Sequence, residues 1–85
     1  MRMVVTTNHE DIGMKAGNTG FMVEIYDTKY SEKDMLKAHN MCWRPSNKSW
    51  WTSGHMKATV EETEKIIVGQ YKRLLPLEET NVVRM

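Results

Sequence analysis

Three tryptophans and two basic residues lie within nine positions, from Trp43 to Trp51, and their side chains are well suited to ligand contact. Indole rings stack on nucleic-acid bases and on the side chains of partners, and a cationic group beside them attracts an anion. Arg44 and Lys48 supply the positive charge. The segment is therefore a candidate binding surface for an anionic or aromatic partner.

The same segment has the turn chemistry of a β-hairpin. Pro45 fixes its own φ angle, and the side chains of Ser46 and Asn47 can bond to the local backbone. A two-residue loop at Ser46 and Asn47 sets the register of the two strands. The cross-strand pairs that it predicts are Trp43 with Trp50, Arg44 with Ser49, and Cys42 with Trp51.

Side chains alternate between the two faces of a strand, so the hairpin separates its tryptophans. Trp43 and Trp50 share one face, where a cross-strand aromatic pair is expected to belong to the structural core. Trp51 lies on the other face beside Arg44, either exposed to a partner or covered by a helix. The residues that we expect to bind nucleic acid or a protein partner are Lys37, Arg44, Lys48, Trp51 and Lys57.

The distribution of charge favours the same region. The whole chain carries a formal charge of +1, which argues against the broad electrostatic attraction of a strongly basic nucleic-acid binder. From residue 29 to residue 57, however, six basic residues stand against two acidic ones, a net charge of +4. This excess indicates either an anion-binding surface at the hairpin or an ordinary solvated one.

Other chemistries are less well supported. His39, Cys42 and His55, with His9, include metal-ligand types, but they lack the paired spacings of a structural zinc site. Cys42 with His39 could form a nucleophile and its base, yet a chain of 85 residues leaves little room for an active-site cavity. We therefore expect no enzyme activity, no cofactor and no metal.

Length and composition predict a single domain over residues 1–85. One cysteine makes an internal disulfide impossible, and no apolar run approaches the roughly 20 residues that span a bilayer. Both observations predict a cytoplasmic protein without a membrane partner.

Strand patterns cover residues 1–7 and 21–27, and the glycine-containing residues 8–20 are expected to form a flexible loop. Ser31 is the expected N-cap of a first helix that ends near Asn40, where Asn can adopt a left-handed conformation. Residues 53–55 are expected to interrupt the regular secondary structure after the hairpin.

A second helix is expected to begin at a capping box of Thr59 and Glu62 and to stop at Pro76. The tail, residues 77–85, is expected to form one more edge strand. This strand would pair with the first strand, either within one chain or across a homodimer. The fold class is α+β, with two helices and a small, largely antiparallel sheet of three to five strands.

Two segments resemble a short domain of unknown function from plasmid and phage proteins. Tyr30 to Ala38 is similar to that family's Tyr-x-Glu-Lys-Asp-x-x-Lys-Ala pattern, and the hairpin is similar to its Trp-x-Pro-x-x-Lys-x-Trp pattern. A similar hairpin occurs in the HARP domain of annealing helicases. The resemblance covers about 25 of the 85 residues. The chain departs from the family at Asn40, where Gly is usual, and at Arg44, where an acidic residue is usual.

The family's domain is often attached to primases and other DNA-processing enzymes, so the resemblance implies an accessory protein of a mobile element, and it carries over no catalytic residue. Together with the basic hairpin, it leads us to expect binding of single-stranded or junction DNA or RNA. The alternative is a protein-binding module that docks on a host or self enzyme and inhibits or recruits it, because Trp and Arg are favoured interface anchors.

Overall fold

The computed structural model describes residues 1–8 and 18–85, which form five strands and two helices. The strands are β1 (Arg2–Asn8), β2 (Asn18–Tyr26), β3 (Cys42–Arg44), β4 (Ser49–Lys57) and β5 (Glu79–Arg84). The helices are α1 (Lys33–Ala38), which follows a 3-10 turn at Tyr30–Glu32, and α2 (Val60–Leu74). The predicted α+β class is confirmed.

The strands lie in the order β3-β4-β2-β1-β5, so β3 and β5 form the two edges of the sheet. All neighbouring strands are antiparallel except β5, which runs parallel to β1. The sheet is therefore mixed but mostly antiparallel. The C-terminal strand pairs with the N-terminal strand inside one chain, with Thr7 opposite Arg84.

One face of the sheet carries the hydrophobic core. Burial alternates along β1 because every second side chain points towards the helices. Met3 of β1 and Ile25 of β2, which lie opposite each other, are fully buried there. The helices add Leu36 of α1 and Ile67 and Tyr71 of α2 to the same cluster. We call this the covered face, and the opposite side of the sheet the second face.

Helix α2 begins where the sequence predicts. The Oγ1 atom of Thr59 accepts a hydrogen bond from the backbone N–H of Glu62 at 3.2 Å, which satisfies one of the free donors of the first turn. The helix ends at Leu74, so its last residue lies two positions before Pro76. Pro cannot continue a helix, and the preceding residue is pushed towards an extended conformation, as Leu75 shows.

The first helical segment begins earlier than predicted. The backbone N–H of Lys29 donates to the Glu32 carboxylate at 2.6 Å, so Ser31 lies inside the 3-10 turn and is not the N-cap. Glu32 supplies the reciprocal half of a capping arrangement. The end of the segment is as predicted, because Asn40 has the left-handed φ of 61°.

Two segments expected to be irregular belong to strands. Residues 53–55 lie inside β4, where Gly54 faces Phe21 of β2. A Cβ atom at position 54 would lie 3.2 Å from the Phe21 ring, so close packing explains the glycine. Of the predicted loop over residues 8–20, Asn8 and Asn18–Gly20 are strand, and residues 9–17 lie outside the described part of the chain.

A charged pair joins the C-terminal strand to α2. The Nε and Nη2 atoms of Arg84 each lie 2.9 Å from a carboxylate oxygen of Glu64, and Thr7 donates to the same carboxylate at 3.0 Å. The hydrogen bonds from Arg84, aided by the one from Thr7, outweigh burial and lower the pKa of Glu64. The ionised form is thus favoured by folding.

Replacing Glu64 with Gln is expected to lower stability near neutral pH and to matter less in acid. Because the folded pKa of Glu64 is depressed, its contribution is complete above the ordinary value of 4.5 and is lost as the pH falls through the folded pKa. Urea unfolding of the wild type and of Glu64→Gln, at pH values from neutral to acid, measures the difference in unfolding free energy. The control, Glu79→Gln, removes an exposed carboxylate from β5, the strand that carries Arg84. A Glu64→Gln difference that stays constant in acid would contradict the ion pair.

Candidate nucleic-acid interface

The predicted register of the hairpin is confirmed. Trp43 lies opposite Trp50, Arg44 opposite Ser49, and Cys42 opposite Trp51. The loop is longer than predicted, because pairing stops at Arg44 and residues 45–48 form the turn. The hydroxyl of Ser49, the first residue of β4, donates to the Asn47 side-chain oxygen in this turn at 2.6 Å.

The two tryptophans expected in the core have different environments. Trp50 is 6% exposed and packs in the core, as predicted, whereas Trp43 is 45% exposed, so its assignment to the core is wrong. Their rings are 5.5 Å apart and tilted by 55°. Trp43 stays accessible because β3 is an edge strand and one flank of its ring has no further strand beside it.

A groove of about 440 Å³ lies between the first helical segment and β3. Trp43 and Trp50 form its aromatic wall, and Tyr30, which is 81% exposed, stands on the helical side. Among the described residues, none that lines the groove is acidic; the lining residues are Thr28, Lys29, Tyr30, Lys33, Lys37, Trp43 and Trp50. The groove therefore combines accessible rings with positive charge.

Lys33 and Lys37 lie four residues apart in α1, a spacing that places their side chains on one side of the helix, and Lys29, the extended residue before the 3-10 turn, lines the same groove. The Nζ atom of Lys33 donates to the Tyr30 hydroxyl at 2.6 Å and lies 4.2 Å from the centre of its ring. Within residues 1–8 and 18–85, none of Lys29, Lys33 and Lys37 forms an ion pair. Their charges remain available to an anionic ligand.

Of the residues predicted to bind a partner, Lys37 alone lines this groove. Lys29, Tyr30 and Lys33 also line it, although the sequence did not single them out, and Trp43 belongs to the groove and not to the core. The repeat of lysines at positions 29, 33 and 37 was the signal that could have identified Lys29 and Lys33, because it directly precedes the hairpin.

Arg44 and Trp51 lie together on the second face, as predicted. The guanidinium carbon of Arg44 is 4.8 Å from the centre of the half-buried Trp51 ring. The same guanidinium lies 3.4 Å from the nearly buried carboxylate of Glu24, which also accepts a hydrogen bond from the Tyr26 hydroxyl at 3.0 Å. Burial, and the hydrogen bond to Glu24, raise the pKa of Tyr26. Arg44 is thus already paired with an anion.

The remaining two predicted residues lie elsewhere. Lys48 is exposed in the hairpin turn, with the left-handed φ of 53°. Lys57 is exposed at the last position of β4, opposite Asn18 and at the far end of the sheet from the turn. The structure therefore divides the expected surface among the groove, the second face, the turn and the distant end of β4.

The described residues contain no group of three or more His, Cys, Asp or Glu side chains that could hold a metal ion. Cys42 is exposed, and His9, one of the candidate ligands, lies outside the described residues. No helix in that part of the chain has the length and apolar character needed to cross a bilayer.

No protein-family model, curated protein or solved structure matches this chain at a significant level. The described residues form a small α+β domain with an aromatic, lysine-lined groove at one edge of its sheet.

Acrylamide is expected to quench Trp43 more strongly than Trp50, because 45% of Trp43 and 6% of Trp50 are exposed. Trp43→Phe should therefore lose most of the readily quenched emission, and Trp50→Phe should keep it. Stern–Volmer slopes of the folded variants measure the effect, with Trp51→Phe as the comparison for the second face. A slope unchanged by Trp43→Phe would show that another indole is the accessible one.

Proposed function

We propose that the protein binds single-stranded nucleic acid in the groove and has no enzymatic activity of its own. The observation that carries this proposal is the accessible Trp43 ring beside lysines that form no ion pair with any described residue. A base stacked on Trp43 would leave its phosphates near Lys33 and Lys37. Stacking is tolerant of sequence because every base has an aromatic face.

A single strand suits the groove better than a duplex. In a duplex each base is stacked on its neighbours, so contact with Trp43 would require a base to leave the stack at a cost of a few kcal/mol. A single strand or the unpaired part of a junction offers bases without that cost. The formal charge of +1 also supports a local contact over the broad electrostatic attraction of duplex binders.

The expected affinity of one groove is modest. Stacking on one Trp contributes roughly 1 to 3 kcal/mol, and phosphate contacts with three lysines add a salt-dependent contribution. A cytoplasmic accessory protein of a phage or plasmid, working beside another DNA-processing protein, would tolerate such affinity. The resemblance of the Tyr30–Ala38 segment and the hairpin to that class of domain supports this role.

A protein-binding module is the second candidate, because the covered face has a gap between α1 and α2. Phe21 and Met56 line this gap with Leu74, which is 42% exposed. Ile66, on the same helix, is 50% exposed. Affinity purification after nuclease treatment distinguishes nucleic-acid binding from protein binding. A protein that still co-purifies in stoichiometric amount after the treatment would favour the protein-binding module.

The Trp43→Ala variant is expected to bind a fluorescently labelled single-stranded oligonucleotide roughly 5- to 150-fold more weakly than the wild type, because it removes the stacking surface. Lys37→Glu should also weaken binding, since it replaces attraction of phosphate with repulsion. Affinity should fall as salt rises. Fluorescence anisotropy at low salt measures all three effects.

Two variants serve as matched controls for this experiment. Trp51→Ala removes an indole from the second face, and Lys57→Glu reverses a charge at the far end of β4, so both should bind like the wild type. No anisotropy change at high protein concentration in low salt would reject nucleic-acid binding. Loss of binding with Trp51→Ala but not with Trp43→Ala would keep the function and move the site to the second face.

A further inference from the structure

The two edges of the sheet are unequal. β3 pairs through three residues and is followed directly by Pro45, so it offers little backbone to another strand. β5 is six residues long and contains neither Lys nor Pro, and its two charged residues, Glu79 and Arg84, lie at its ends, so its centre lacks the residues that commonly protect an edge. Two of its β-branched side chains, Val82 and Val83, are 45% and 46% exposed. β5 is thus the edge suited to strand addition.

The backbone groups that β5 directs outwards follow from its pairing. Thr7 lies opposite Arg84, and the carbonyl of Thr7 accepts a hydrogen bond from the N–H of Met85 at 2.9 Å. In the parallel ladder that begins at Glu79, this pattern directs the N–H groups of alternate residues, 81, 83 and 85, towards β1; the bond from the Glu78 N–H to the Met1 carbonyl precedes the ladder and is out of phase with it. The N–H and C=O groups of Thr80 and Val82 therefore point away from the sheet.

We infer that a second copy of this chain pairs with β5 in an antiparallel arrangement about a two-fold axis. With the axis at Val82, each Val82 N–H donates to the Val82 carbonyl of the other copy, and the same residues serve both sides of the contact. Both copies then place their covered faces on the same side of one continuous sheet.

Charge and side-chain shape suit this register. Thr80 of one copy faces Arg84 of the other, and the two Val82 side chains meet, so no like charges lie opposite each other. Arg84 keeps its hydrogen bonds to Glu64, which lie on the covered face rather than along the edge. The binding groove lies at the other edge of the sheet, so the pairing is independent of the proposed function.

Sedimentation velocity of the full chain over a range of concentrations tests the pairing. The wild type should show a monomer–dimer equilibrium, and Val82→Pro should raise the dimer dissociation constant by roughly 10-fold or more, because it removes both central hydrogen bonds. The ladder with β1 leaves the Val82 N–H without a partner among the described residues, so Pro removes no bond of that ladder. Val82→Thr, which keeps the N–H and the branched shape, should still form dimers.

Amide hydrogen exchange decides the matter if Val82→Pro fails to fold. In the wild type, the amides of Thr80 and Val82 should become protected as concentration rises, whereas that of Val83 should be protected at all concentrations. A chain that remains monomeric at millimolar concentration would overturn the proposal and leave the edge to a strand of another protein. A dimer with unprotected Thr80 and Val82 amides would overturn it as well.

Discussion

The antiparallel pairing of β4 with β2 is the constraint on which the surfaces of the hairpin depend. It joins eight residue pairs and so engages one side of β4 along almost its whole length. On the other side, β4 pairs with β3 through three residues only. β3 is consequently a short edge strand, and Trp43 at its centre has no strand beyond it. The core takes Trp50, and the ring of Trp43 forms an accessible wall of the groove.

Strand alternation then gives neighbouring residues different electrostatic surroundings. Trp43 faces the lysines of the first helical segment, where no carboxylate lines the groove. Arg44, the next residue, faces Glu24 and Trp51 on the second face. A ligand anion at Arg44 must compete with a carboxylate that the fold already supplies, whereas Lys37 forms no ion pair with any described residue. This difference favours the groove as the anion-binding surface, although Arg44 is the stronger donor by residue type.

Features set by near neighbours could be predicted from the sequence, and features set by strand order could not. The hairpin register and the Thr59 cap follow from residues a few positions apart, and both are confirmed. The exposure of Trp43 depends on β3 being an edge, which no local pattern reveals. Gly54 indicated a break because glycine favours turns, yet it lies in a strand beneath the Phe21 ring. There the packing of two strands overrides local preference.

The proposed pairing through β5 would affect how the proposed nucleic-acid groove, with its modest expected affinity, holds a long ligand. Pairing through β5 would place the two β3 edges on the outside of a ten-stranded sheet, roughly 40 Å apart at about 4.8 Å per strand. An oligonucleotide that occupies one groove would reach the other only if it spans that distance. For longer strands the second contact becomes intramolecular, and overall affinity can then exceed that of either groove without any new type of contact. The length of Trp43-bound nucleic acid would thus control avidity, while the groove alone would set the preference for unpaired bases.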